Sequence, residues 1–67
     1  VVTMETQDWI QAEIAELPPK YRTAIILKYM EDLSLKEISD VLDLPVSTVK
    51  TRIHRGREAL RKRMRHV

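Results

Sequence analysis

Residues 47 to 57 read Ser-Thr-Val-Lys-Thr-Arg-Ile-His-Arg-Gly-Arg and hold the densest set of side chains able to do chemistry. That chemistry is hydrogen bonding and charge pairing. Arg offers a fixed fork of donors, Lys a mobile ammonium, and Ser, Thr and His either donate or accept. Base edges in the DNA major groove and phosphate oxygens present the matching groups. Ser47, Lys50, Thr51, His54 and Arg55 are the candidates for the groove, with Thr51, His54 and Arg55 as the base readers. Thr48, Arg52 and Arg57 lie further round the helix and suit phosphates. Arg61, Lys62, Arg63 and Arg65 are too far along to read the same bases and are expected to add nonspecific attraction. Plainer roles compete with these. Ser47 and Thr48 can satisfy free N–H groups of a first turn. His54 can be a solvated surface residue, and Glu58 can pair at helical spacing with Arg55, Arg61 or Lys62.

Catalysis has little to work with. The chain has two histidines, no cysteine and one glycine, so there is no glycine-rich loop and no metal-ligand spacing. The carboxylates Glu31 and Asp32 precede a helix cap and read as an exposed helix end. No enzyme activity, cofactor or metal is expected.

The polar face needs a docking face opposite it. At 100° per residue, Val46, Val49, Ile53, Gly56 and Leu60 share a stripe roughly 80° wide. Thr51 points the other way, flanked by Ser47, His54, Arg55, Glu58 and Lys62. A solvated tail needs no such stripe. Residues 45–67 carry eight Lys and Arg against one acid, whereas residues 1–44 carry four against nine. The net charge of +2 therefore hides a basic end suited to a polyanion.

The remaining elements are helical. With 67 residues, 33% charged and a single Gly, the chain is expected to form one small all-α domain of four helices. The first spans about Met4 to Glu16, with Trp9, Ile10, Ile14 and Leu17 as its apolar set. Pro18-Pro19 ends it and opens the second, to about Glu31. Tyr21 and Tyr29 are expected in the core with a polar tip. "AIILKYM" is apolar on more than one face, which predicts deep burial or a protein partner. Ser34 and Glu37 fit a capping box ahead of Leu35, Ile38, Val41 and Leu42. That short helix stops near Asp43 because Pro45 follows. The last begins near Pro45, and Gly56 on its apolar stripe predicts close packing of another helix. Helix, tight turn and longer helix over about residues 34–62 make a helix-turn-helix. The longest aliphatic run, Ala24 to Leu27, is far short of the roughly 20 residues of a membrane span. Absence of cysteine and of a signal-peptide pattern suits a cytoplasmic setting. The opening Val-Val, without an initiator Met, points to an excised or processed piece.

"LPPKYRTAIILKYMEDLSLKEISDVLDLPVSTVKTRIHRGREALRK", residues 17–62, closely resembles domain 4 of extracytoplasmic-function (ECF) sigma factors, especially those of cell-envelope stress in Gram-positive bacteria. The "LPPKYR" entry, the "LSLKEIS" helix and "PVSTVKTRIHRGREAL" stand at the family's spacing. The resemblance implies that residues 1–67 are a sigma factor domain 4. It implies recognition of the −35 promoter element by the last helix and docking on the β flap of RNA polymerase core. It further implies control by an anti-sigma factor. By position, Lys50, Thr51, His54 and Arg55 would face the DNA, with Arg52 and Arg57 near its backbone. Ser47 departs from the family, which often has Gly there, and no counterpart of the family's domain 2 is found in this stretch. Two other readings compete: a response-regulator-type helix-turn-helix effector that binds DNA as a dimer, and a module whose basic helix is held by an acidic protein.

Overall fold

The computed structural model describes residues 6–64, with side chains for residues 10–63. Four α-helices follow one another: α1 (Thr6–Ala15), α2 (Pro19–Ile25), α3 (Leu35–Leu42) and α4 (Val46–Met64). The chain breaks after α1 because Pro18 takes an extended conformation, with ψ of 143°. Pro19 then occupies the first turn of α2, where its missing N–H costs nothing. Arg22 turns back and donates to the Ala15 carbonyl at 3.2 Å, covering the free end of α1.

The helix expected to run unbroken from Pro19 to Glu31 changes winding at Ile26. Residues Ile26–Met30 form a π-helical turn, closed by the Glu31 N–H on the Ile26 carbonyl at 3.1 Å. Such wide turns are rare and are found mostly as single-turn insertions in α-helices. Asp32 ends the segment with φ of 55°, a left-handed conformation that Asp tolerates better than most residues.

The start and stop of α3 follow the sequence closely. Ser34 accepts from the Glu37 N–H at 3.1 Å, and Glu37 accepts from the Ser34 N–H at 3.0 Å. The Ser34 N–H stabilises the ionised Glu37 carboxylate, with the Ser34 side chain acting in the same direction, so its pKa lies below the ordinary glutamate value. At the far end Asp43 is left-handed, with φ of 55°. Leu44 N–H reaches back to the Ser39 carbonyl at 3.1 Å. This is the six-to-one bond of a Schellman cap, with Asp where Gly is usual. The Ser39 hydroxyl also donates to the Leu44 carbonyl. The turn is thereby locked, and Pro45 and Val46 leave it in a fixed direction.

Ile14, Leu17, Ala24, Ile25, Ile38, Val49 and Ile53 are the buried core. Val49 and Ile53 face inward as their spacing requires, and α4 packs chiefly on α2 and α3. Gly56 is buried beside Ile25: a Cβ there would lie 2.7 Å from Ile25 Cγ1. Three expected core members are exposed. Val41 is 62% exposed, because it sits beyond Ile38 at the edge of α3's stripe. Val46 is 38% exposed, as the first residue of α4. Tyr29 is 53% exposed, carried outward with Met30 on the π turn. Leu60 is half-buried at the rim. The expected role of Trp9 and the expected start at Met4 lie outside the described side chains and residues.

Candidate nucleic-acid interface

Helix α4 is held by its buried stripe, so its opposite face is presented at a fixed angle. Ser47, Lys50, Thr51, His54, Arg55 and Arg57 are exposed, while Thr48 and Arg52 are half-buried against the body. The Thr51 hydroxyl donates to the Ser47 carbonyl at 3.0 Å. Its oxygen lone pairs remain available to accept from a base amino group. Exposed acid is sparse on this face: Glu58 is half-buried and bound to Arg61 at 2.7 Å.

The eight candidate residues do not form one cluster. Helix α4 divides them between two flanks. On one side Ser47, Thr48, Thr51, Arg52 and Arg55 line a cleft shared with Lys20 and Tyr21 of α2. On the other, Lys50, His54 and Arg57 line a cleft shared with Lys28 and Tyr29 of the π turn and with Leu35. Thr51 and His54, both exposed, stand on the ridge between the flanks. The arrangement fits a helix laid in a groove, with cations along both of its edges where the two phosphate backbones run.

Sequence reading missed the residues outside the helix-turn-helix. Lys20 and Lys28 belong to a region of net negative charge, and only the fold brings them beside α4. Tyr21, expected in the core, is half-buried and lines the cleft against α4. The Arg55 guanidinium beside Tyr21 holds the phenol below its ordinary range, and the charges of Lys20 and Arg52 act in the same direction. Lys20 Nζ stands 5.2 Å from the centre of the Tyr21 ring, within cation–π reach. The one signal available in the sequence was the position of Lys20-Tyr21 straight after Pro18-Pro19, in an exposed first turn.

The far end of α4 bears out the helical pairing expected of Glu58, with Arg61 as its partner, and departs from expectation at Arg63. Arg61 pairs with Glu58, and Arg63 Nε donates to Glu13 of α1 at 2.5 Å. These two cations are engaged within the domain, which reduces their attraction for a polyanion. Lys62 is exposed, and Arg65 lies outside the described residues. A third groove, between α1 and the second half of α4, is floored by Ile10, Tyr29 and Leu60 and rimmed by His54, Arg57 and Arg61. Among the described residues no helix is long and apolar enough to cross a membrane.

Residues 7–60 match the family model described as Sigma-70, region 4. The chain is 62% identical over all 67 residues to the ECF RNA polymerase sigma factor SigW of Bacillus subtilis, covering 36% of that protein. It is 46% identical over 52 residues to the ECF RNA polymerase sigma factor SigE of Mycolicibacterium smegmatis, which is 78% of this chain and 20% of that one. Against the ECF RNA polymerase sigma-E factor of Haemophilus influenzae the identity is 45% over 47 residues, 70% of this chain and 25% of that one. The chain thus spans about a third or less of the length of these relatives.

Proposed function

The chain belongs to the sigma-70 region 4 family, and from that premise we propose that it reads the −35 element of promoters for RNA polymerase. In this reading residues 1–67 act as domain 4 of an ECF sigma factor, with the helix-turn-helix over about residues 34–62. Thr51, His54 and Arg55 contact bases. Ser47 and Lys50 lie beside them at the groove, and Thr48, Arg52 and Arg57 hold the register through the backbone. The reading is carried by one observation: the exposed hydroxyl, imidazole and guanidinium groups of α4 stand opposite its buried Val49–Ile53–Gly56 stripe. Bidentate Arg–guanine contact suits Arg55, and Thr51 suits either an amino group or a thymine methyl.

The protein works in the cytoplasm, where the promoter and polymerase are. Its protein partners are the β flap of polymerase core and an anti-sigma factor. The groove floored by Ile10, Tyr29 and Leu60 supports a protein contact, since exposed apolar surface on a small domain marks such sites. Family membership favours this reading over the dimeric response-regulator effector. Footprinting the sigma factor on its promoter, with and without polymerase core, tests it. One protected site at −35 with polymerase is the expected result. Two symmetric half-sites protected without polymerase would replace it with the dimeric reading.

A further inference from the structure

We propose that the cleft between the first turn of α2 and the first half of α4 seats one phosphodiester of the DNA backbone, with Lys20 and Tyr21 as a jaw outside the helix-turn-helix. The inference rests on the reading of α4 as the DNA-contacting helix and extends the binding surface to a second element. The cleft holds about 290 Å³ and is lined by three cations, Lys20, Arg52 and Arg55, and by hydroxyls of which Tyr21 supplies the one from α2. No acid lines it. Among the described residues none of the three cations is in an ion pair, whereas Arg61 and Arg63 are. Three positive charges gathered without a counterion repel one another, and a bound anion removes that repulsion.

The geometry selects the anion. The cleft runs along the flank of α4, beside the groove-facing Thr51, where a duplex backbone passes a recognition helix. A phosphodiester there presents two unesterified oxygens. The planar guanidinium of Arg52 and the point-like ammonium of Lys20 bind such a pair from two directions. Tyr21 links the two walls: its ring lies under Lys20, and it lines the cleft together with Arg55 of α4. Tyr21 is thus a positioning residue for Arg55, and Lys20 is the phosphate contact.

The test compares wild type, Lys20→Gln, Tyr21→Phe and Arg55→Ala, each checked for fold by circular dichroism. Affinity is measured by fluorescence anisotropy on a −35 duplex and a scrambled duplex of equal length, over a salt series. Lys20 is exposed, so its replacement leaves the core intact. Lys20→Gln should weaken both duplexes alike and reduce the salt slope by about 0.9, so that its deficit shrinks about 3.5-fold between roughly 50 and 200 mM salt. Replacing single phosphates by neutral methylphosphonates should reveal one position that matters to wild type and not to Lys20→Gln. Tyr21→Phe should lower the ratio of −35 to scrambled affinity while leaving the salt slope unchanged. Normal −35 preference in wild type, lost in Arg55→Ala but untouched in slope and ratio by both α2 variants, overturns the cleft proposal alone. Absence of any DNA binding by wild type at the lowest salt overturns the α4 reading with it. Inorganic phosphate at matched ionic strength should not shift the Lys20 and Tyr21 amide resonances. A saturable shift would reassign the cleft to a free phosphate ion and overturn the DNA proposal.

Discussion

Gly56→Ala is a severe test of how α4 is held. In an exposed helix the change would stabilise by about 1 kcal/mol, because Gly is the costlier residue in a helix interior. Here the new methyl would stand 2.7 Å from Ile25 Cγ1 and 3.1 Å from Ile25 Cδ1, with Tyr21 Cβ at 3.5 Å. Ile25 is β-branched, stiff at χ1 and only 1% exposed, so it cannot swing aside. Overpacking of this kind costs typically about 1–3 kcal/mol. The cost exceeds the propensity gain, and a net loss of up to about 2 kcal/mol is expected. For a domain of this size about 1 kcal/mol moves Tm by roughly 4–8 °C. Thermal melts followed by circular dichroism read it directly. A double-mutant cycle with Ile25→Ala isolates the cause, with sucrose added to keep the cavity variant folded. In that background Gly56→Ala should become neutral or stabilising, with a coupling of about 1–3 kcal/mol. A higher Tm for Gly56→Ala alone, or the same loss in both backgrounds, refutes close approach of α2 and α4 at this point. The same approach places Tyr21 against Arg55, so the variant should also lose −35 affinity.

Replacing Arg55 by Ala should cost roughly 1–3 kcal/mol on the −35 duplex and relax specificity, whereas Lys62→Ala should weaken all sequences about equally. Equal loss on specific and scrambled duplexes would strike Arg55 from the base readers. Ile53→Asp, at a site 7% exposed, should leave the chain unfolded, since a carboxylate there has no partner; an unchanged melt would mean that another face of α4 is inward. Glu37 has a folded-state pKa below its ordinary value, so the native state binds fewer protons there than the unfolded state. Its contribution is present above the ordinary carboxylate range and is lost as pH falls through the folded pKa. The urea midpoints of wild type and Glu37→Gln should therefore differ at neutral pH and converge in acid. A constant gap across that range would exclude the carboxylate from the cap.

Much of this protein is local, and local features are written in the sequence. Pro18-Pro19 ends one helix and starts the next, and Ser34 with Glu37 caps α3, because each device involves residues within one turn. The inward side of α4 followed from the recurrence of Val49, Ile53 and Gly56, since a helix has only one way to place that spacing. The chemistry of the opposite face followed from the same count. Tertiary structure alone decided what flanks that face. Lys20, Tyr21 and Lys28 sit in an acidic stretch and were not legible as neighbours of α4, because no sequence period relates residues some thirty positions apart. Exposure of Tyr29, Val41 and Val46 was likewise undecided. Burial depends on what stands opposite a side chain, and a domain of 67 residues has too little interior to cover every apolar group it carries. The ion pairs of Arg61 with Glu58 and of Arg63 with Glu13 complete the pattern: helical spacing allowed the first among several, while the second joins the two ends of the domain and exists only because α1 folds back on α4.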